Sequence, residues 1–296
     1  SRYAVGLPID KKLSQGYIAP IVVDDSVVVL DRHGSLYSLT SGALNWELHN
    51  RKTGSMSLAS YGYNIFFTVD NILWSINAKT GEILWKKELQ SPISGSPAKI
   101  GNQLALLTID NYLYVLDAQN GDTVWSHHNG TDGIIQLHSI SPIAESEMVI
   151  APFSNGELIA FNRSGKKLWS YKFHVNLLDT QFSDIIVTPR VKGDILITAN
   201  NSTIVALNIK SGAVLWSYPL QVKSLSNIET LWQYESVILV TSKNNEVTAL
   251  DTQNGKMIWF GGLEKGSSSA TIHNNALWLT NNKGTIAIFK EADGIL

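Results

Sequence analysis

The chain has 296 residues, a formal charge of −2, 44% hydrophobic and only 16% charged residues, and no run of lysine or arginine longer than two. That balance lacks the basic stripe of a nucleic-acid binder, and no uninterrupted apolar segment approaches the roughly 20 residues that cross a bilayer as a helix. Cysteine is absent, which removes disulfides, thiolate metal sites and a Cys nucleophile from these residues.

Residues 3–9 place Tyr3, Val5, Leu7 and Ile9 on one face and predict a strand, which Pro8 confines to a sheet edge because proline has no N–H for a ladder. The first repeat follows, with strands expected at Ile18–Val23, Val27–Leu30, Leu36–Leu39 and Leu44–Leu48. The second has Ser57–Ser60, Ile65–Val69, Leu73–Ile76 and Ile83–Glu88. The third has Pro97–Ile100, Leu104–Ile109, Leu113–Leu116 and Thr123–His127. After a longer linker, 129–137, come Met148–Pro152, Leu158–Phe161 and Lys167–Phe173. Another long approach, 175–183, leads to Ile185–Pro189, Ile195–Ala199, Ile204–Leu207 and Val214–Tyr218. The sixth copy reads as Glu229–Gln233, Val237–Thr241, Val247–Leu250 and Met257–Phe260, and the seventh as Ser269–His273, Ala276–Thr280 and Ile286–Phe289. Gly261-Gly262 and Gly266-Ser267-Ser268-Ser269 read as a flexible connector between them. No stretch carries useful helical periodicity.

One spacing ties these units together. Glycine and tryptophan recur as G-x-x-x-W at Gly42/Trp46, Gly81/Trp85, Gly121/Trp125, Gly165/Trp169, Gly212/Trp216 and Gly255/Trp259. Successive tryptophans are 39, 40, 44, 47 and 43 residues apart, the length of a four-stranded propeller blade. The expected fold is therefore all-β: a seven-bladed β-propeller of four-stranded antiparallel blades, one domain over residues 1–296. The seventh copy ends at Asp293-Gly294 without a tryptophan, so the strand at 3–9 is expected to complete the last blade and close the ring. Each repeat indole is expected to fill the wedge between blades and to donate its N–H to a nearby carbonyl. Six equivalent positions cannot all face one ligand, so packing is preferred to an aromatic binding pocket. Trp74 replaces the Tyr37 and Tyr114 of its sister repeats and is read as packing, whereas Trp232 and Trp278 could face a central channel.

The segments L-Y-V-L-D-A-Q-N-G-D-T-V-W, L-W-S-I-N-A-K-T-G-E-I-L-W and V-T-A-L-D-T-Q-N-G-K-M-I-W resemble the tryptophan-docking repeat of the pyrroloquinoline-quinone (PQQ) propeller superfamily over essentially the whole chain. Within it, Phe182 to Trp216, with S-D-x-x-x-T-P at its start, is similar to the BamB family of outer-membrane assembly lipoproteins. That resemblance implies a periplasmic, outer-membrane-associated, non-catalytic scaffold, expected to be a monomer, with no cofactor. It would bind the periplasmic domains of the BamA barrel-insertion protein. Better-known members have eight blades, and the family's lipid-bearing cysteine would have to lie upstream of Ser1. By the same resemblance, Asp184 matches an acidic partner-binding position ahead of Val187-Thr188-Pro189, and Ile134, Gln136 and Leu137 correspond loosely to a partner-binding leucine-rich stretch. Asp184 reads equally well as a turn residue before a strand.

The alternative is a PQQ-dependent oxidoreductase or a quinone-binding sensor domain. Such an enzyme needs an aspartate base, a calcium site and aromatic stacking for the quinone. Here the aspartates Asp31, Asp70, Asp110, Asp117, Asp251 and Asp293 fall at turn positions, where their carboxylates bond local backbone. The seven histidines (His33, His49, His127, His128, His138, His174 and His273) show no metal-binding spacing, and His127 and His128 would point to opposite faces of a strand. Three tripeptides, at Asn129, Asn162 and Asn201, fit glycosylation acceptors, as turn-rich sequences do by chance.

Overall fold

The structure, a computed structural model, describes residues 18, 20–31, 34–50, 54–130, 139–173, 185–200, 202–220, 228–234, 237–242, 246–262, 268–273, 276–281 and 286–290. The chain divides into two compact units, Ser1–Ala151 with Arg163–Gly165, and Pro152–Asn162 with Lys166–Leu296. In the first unit, β1 (Ile21–Val23), β2 (Ser26–Leu30), β3 (Leu36–Thr40) and β4 (Ala43–Leu48) form an antiparallel sheet in sequence order. A second sheet follows with β5 (Met56–Tyr61), β6 (Asn64–Val69), β7 (Ile72–Asn77) and β8 (Ile83–Glu88). The third is β9 (Ala98–Ile100), β10 (Gln103–Leu107), β11 (Tyr112–Asp117) and β12 (Thr123–His128). Next, β13 (Ile143–Glu145) pairs with β14 (Met148–Pro152), which runs up to the division.

The second unit opens with β15 (Glu157–Asn162) paired to β16 (Lys167–Lys172). It continues with a sheet of β17 (Arg190–Lys192), β18 (Ile195–Ala199), β19 (Thr203–Asn208) and β20 (Val214–Pro219). Another contains β21 (Ile228–Tyr234), β22 (Val237–Ser242), β23 (Glu246–Asp251) and β24 (Met257–Gly262). The last described sheet is β25 (Ser268–His273), β26 (Ala276–Asn281) and β27 (Ile286–Lys290). No helix occurs among the described residues. The strand expected at residues 3–9 lies outside them.

The second strands Leu104–Leu107 and Met148–Pro152 are apolar and buried on both faces rather than alternating. In the first unit, Phe66, Leu73, Ile93, Leu104, Leu106 and Leu116 form one buried cluster, and in the second unit Ile197, Ile204, Trp216, Ile238, Val240 and Leu250 form another. Each such side chain contributes about 1.5–3 kcal/mol on burial.

Proline decides where several first strands start. β1, β9, β13 and β17 are three residues each and begin directly after Pro20, Pro97, Pro142 and Pro189. Proline cannot donate to a ladder, and it holds the residue before it extended but outside the helical region. The structure therefore corrects four sequence expectations. The strand placed at Ile18–Val23 is only β1. The apolar run Ile185–Pro189 is buried but not a strand, and pairing starts at Arg190. β13 has no apolar alternation and was not expected at all. Gly261 and Gly262 are not a connector but the end of β24, and Ser268 and Ser269 begin β25.

The last hairpin of each repeat explains the G-x-x-x-W spacing. In the third repeat, Asp117 Oδ1 accepts the N–H of Gln119 at 2.7 Å, and the Gly121 N–H reaches back to the Asp117 carbonyl at 2.9 Å. Asn77, Asn208 and Asp251 organise the corresponding turns in the same way. This turn puts its glycine at a φ between +68° and +85° in Gly81, Gly121, Gly165, Gly212 and Gly255, a conformation that costs a residue with a side chain. The carbonyl just after the Asx residue then faces the preceding tryptophan. Trp46 Nε1 donates to Ala78 O at 2.8 Å, Trp85 to Ala118 at 3.1 Å, Trp125 to Arg163 at 2.8 Å, Trp169 to Ile209 at 2.8 Å and Trp216 to Thr252 at 2.9 Å.

The indole ring lies on the next repeat's glycine. A β-carbon on Gly81, Gly121, Gly165, Gly212 or Gly255 would fall 2.4–2.9 Å from the ring of Trp46, Trp85, Trp125, Trp169 or Trp216 respectively. Gly42 has no atom within 4 Å of that position among the described residues. A register shift just before each tryptophan, as between Val115 and Leu116 in β11, inserts one extra residue into the outer strand. That residue (Leu84, Val124, Leu168, Leu215 or Ile258) is turned outward and about half exposed, while the indole is turned in. Trp74 packs by stacking on Phe67 with centroids 5.2 Å apart. The side chains of Trp232 and Trp278 lie outside the described residues, and Trp259 is half-buried.

Chemical denaturation checks this docking. Trp169→Ala should lose about 3–5 kcal/mol. Trp169→Phe, which keeps a ring but leaves the Ile209 carbonyl without its donor, should lose about 1–3 kcal/mol. Lys210→Ala, at an exposed ion pair with Asp194, should stay within about 0.5 kcal/mol of the parent.

Candidate docking segments

The four residues proposed from the resemblance, Ile134, Gln136, Leu137 and Asp184, lie outside the described residues, in 131–138 and 174–184. What the structure does place is the chain on either side of those segments. Each emerges from an outer strand and re-enters the fold through a short lead-in that ends on proline.

Segment 131–138 returns at Ser139-Ile140-Ser141-Pro142, beside the preceding lead-in, Ser94-Gly95-Ser96-Pro97. Hydroxyls stitch the two backbones together. Ser139 Oγ donates to the Ser94 carbonyl at 2.7 Å, Ser94 Oγ accepts the Ile140 N–H at 3.2 Å, and Ser141 Oγ accepts the Ser96 N–H at 2.8 Å. The next repeat inward adds Ser57, whose Oγ donates to the Gly95 carbonyl at 3.1 Å and lies 2.6 Å from Thr68 Oγ1. Tyr61 donates its phenol to the Pro97 carbonyl at 2.8 Å, and burial raises its pKa above the usual phenol value, so the donor proton is retained at neutral pH. Short hydroxyl side chains suit this place. They satisfy backbone groups in segments that belong to no ladder, where an unpaired buried amide would cost about 1–3 kcal/mol.

Glycine is required at the tightest point. A β-carbon on Gly95 would meet Ser141 Oγ at 2.6 Å and the Ile140 carbonyl carbon and oxygen at 2.7 Å. Ile140 itself is fully buried. The returning chain is thus anchored at its first described residues.

Segment 174–184 is anchored within the second unit. On its near side Phe173 is buried, packs edge-on against Tyr171 with centroids 5.2 Å apart, and donates its N–H to the Gly156 carbonyl at 3.0 Å. On its far side Ile185, Ile186 and Val187 are buried, and the Ile186 N–H reaches the Ala199 carbonyl at 3.2 Å. The residue following Asp184 is therefore core.

Among the described residues no three His, Asp or Glu side chains come together as a metal-binding group. Asp31, Asp117 and Asp251 accept backbone N–H groups of their own turns, whereas Asp110 accepts from two hydroxyls, Thr108 Oγ1 at 2.5 Å and Ser91 Oγ at 2.6 Å from the preceding lead-in. His127 and His128 sit on opposite faces of β12, where His128 stacks on Tyr112 at 4.1 Å. The serine stitching went unread in the sequence, although S-x-S-P at 94–97 and 139–142 was its signal.

A family model described as outer membrane protein assembly factor BamB matches residues 34–259 and 200–296. The crystal structure of BamB from Moraxella catarrhalis superposes with a TM-score of 0.62, at 18% identity, covering 92% of this chain and 96% of that one. A computationally designed protein, Ika8, gives a TM-score of 0.53 at 15% identity over 92% of this chain and 95% of its own. An uncharacterized protein of Rickettsia prowazekii (strain Madrid E) is 22% identical over 213 residues, 67% of this chain and 51% of that protein. The chain thus spans about half the length of this curated relative. The likeness to the solved structures shows the fold, a β-propeller.

The stitching has a measurable weight. Ser141→Ala should lose about 1 kcal/mol in denaturant unfolding, the worth of one backbone-to-hydroxyl bond. Gly95→Ala, which forces backbone apart, should lose about 1–3 kcal/mol. Equal stability of Gly95→Ala and the parent would contradict the close approach.

Proposed function

The chain belongs to the family of outer membrane protein assembly factor BamB, and from that membership we propose that it is a non-catalytic docking scaffold for outer-membrane β-barrel assembly. The observation that carries the reading is the family match, which spans residues 34 to 296 and includes both candidate segments. The proposed setting is the periplasm, with attachment to the outer membrane through a lipid anchor upstream of Ser1. The proposed partner is the periplasmic part of a BamA-like barrel-insertion protein, bound by this chain as a monomer.

The mechanism is presentation. Sheets locked by indole docking hold the ends of 131–138 and of 174–184, and anchored ends reduce the ordering cost that a free loop meets on binding. Leu137, Ile134 and Gln136 on the first segment, and Asp184 on the second, are the contacts proposed. Apolar contacts of this kind supply desolvated area, and an acidic contact supplies orientation.

Capture of the full chain by immobilised periplasmic domains of the insertion protein tests the reading. Asp184→Arg and Leu137→Glu should each weaken capture by about 30-fold, as hot-spot losses near 2 kcal/mol do, and Lys210→Ala should leave it unchanged. Capture indifferent to every variant in both segments would refute these residues while keeping the partner. Absence of capture, together with saturable binding of PQQ and calcium and redox turnover, would replace the scaffold with a quinone-dependent oxidoreductase.

A further inference from the structure

Aromatic side chains collect at one place on the third sheet. β12 is the edge of that sheet, and its register sets His128 directly opposite Tyr112. The two rings lie 4.1 Å apart and 11° from parallel, and the Tyr114 ring follows 5.6 Å from that of Tyr112. The corresponding cross-strand pairs of four sister repeats carry no rings: Ile72 with Glu88, Glu157 with Lys172, Thr203 with Pro219 and Glu246 with Gly262. Those sheets form without a ring pair at this position, so repeat packing does not demand one. His128 is exposed, and Tyr112 and Tyr114 are half-buried.

A carboxylate without a countercharge accompanies these rings. Asp110, two residues before Tyr112, accepts the hydroxyl protons of Ser91 and Thr108 at 2.6 and 2.5 Å, bonds that fix its position without neutralising it. No lysine or arginine pairs with it among the described residues. Burial raises the phenol of Tyr114 above its usual pKa, and the negative charge of Asp110 raises it further, so carboxylate and rings share one electrostatic neighbourhood. Lys87 lies on the same face of β8 as the docked Trp85, yet it makes neither an ion pair nor a ring contact among the described residues. Guanidinium is the side-chain group that suits both features, since it stacks flat on aromatic faces and presents a fork of donors to a carboxylate.

The place of this cluster in the chain says which partner would reach it. Directly after His128, Asn129 gives its N–H to the Asn111 carbonyl at 3.1 Å, and segment 131–138 begins two residues later. The rings thus stand at the near end of the first candidate docking segment. We propose that Tyr112, His128 and Asp110 form a receptor for an arginine side chain of the protein that docks on segment 131–138. The inference rests on the scaffold reading and adds the chemistry of one contact to it: the guanidinium stacks on the rings and gives its N–H groups to the Asp110 carboxylate. A lysine ammonium lacks the flat face, and an apolar side chain leaves the carboxylate unpaired.

The test measures capture of the full chain by the immobilised periplasmic domains of the insertion protein. His128→Ser, at an exposed edge position, should weaken capture about fivefold, and Asp110→Asn, which keeps one acceptor for a hydroxyl, about tenfold. Blocking the arginines of the immobilised domains with phenylglyoxal should erase the difference between the parent and both variants, whereas acetylating their lysines should preserve it. This comparison leaves the chain itself unaltered, so it holds even if Asp110→Asn lowers stability. A parent chain that is not captured overturns the scaffold reading and this contact with it. Captured parent and variants that bind alike, a difference that persists with blocked arginines, or one erased by lysine acetylation overturns the arginine receptor alone.

Discussion

The contact on which the structure depends is an indole lying flat on a glycine of the next repeat while its N–H reaches the carbonyl two or three residues before that glycine. Two demands meet there. The turn must adopt a positive φ at its last residue, and nothing larger than hydrogen can stand between that residue and the ring. Glycine alone meets both. The Asx side chain at the head of the turn aims the carbonyl, and the bulge in the outer strand aims the ring. Each repeat is thereby stabilised by the one that follows it, so stability is nearest-neighbour in character.

The same device explains which parts of the fold could be read directly from residues. Gly81 and Trp85, or Gly212 and Trp216, keep one spacing because every copy obeys one steric rule, and the strand positions between them follow from apolar runs bounded by turns. The acceptor carbonyls were not legible, since Ala78, Arg163, Ile209 and Thr252 share no side-chain chemistry and contribute only backbone. The short first strands were misread for a related reason. Ile185 to Val187 are apolar because they are buried, which hydrophobicity reports faithfully, but Pro189 withholds the ladder, and only Arg190 can begin it. Serines 94, 139 and 141 belong to no strand pattern, and their purpose shows only where the two lead-in segments lie side by side.

Candidate function divides along the same line. Family membership was visible in the repeat and in the S-D-x-x-x-T-P stretch, and the match to the BamB family supports that reading. Asp184, Ile134, Gln136 and Leu137 were singled out by the resemblance alone and lie outside the described residues. What the structure adds is the anchoring: buried Ile140 and Ile185, each within two residues of its segment, convert sheet rigidity into loop position. A scaffold of this kind needs no pocket. It needs fixed loop ends, and hydroxyl-to-backbone bonds supply them in the first unit.

The most direct measurement of indole docking is a double-mutant cycle between Trp216 and Gly255 in denaturant unfolding. A β-carbon at Gly255 would stand 2.4 Å from the Trp216 ring, so Gly255→Ala should cost markedly less once Trp216→Ala has removed the ring, with a coupling of at least about 1 kcal/mol. Equal costs in both backgrounds would mean that ring and glycine act independently, and the docking account would fail.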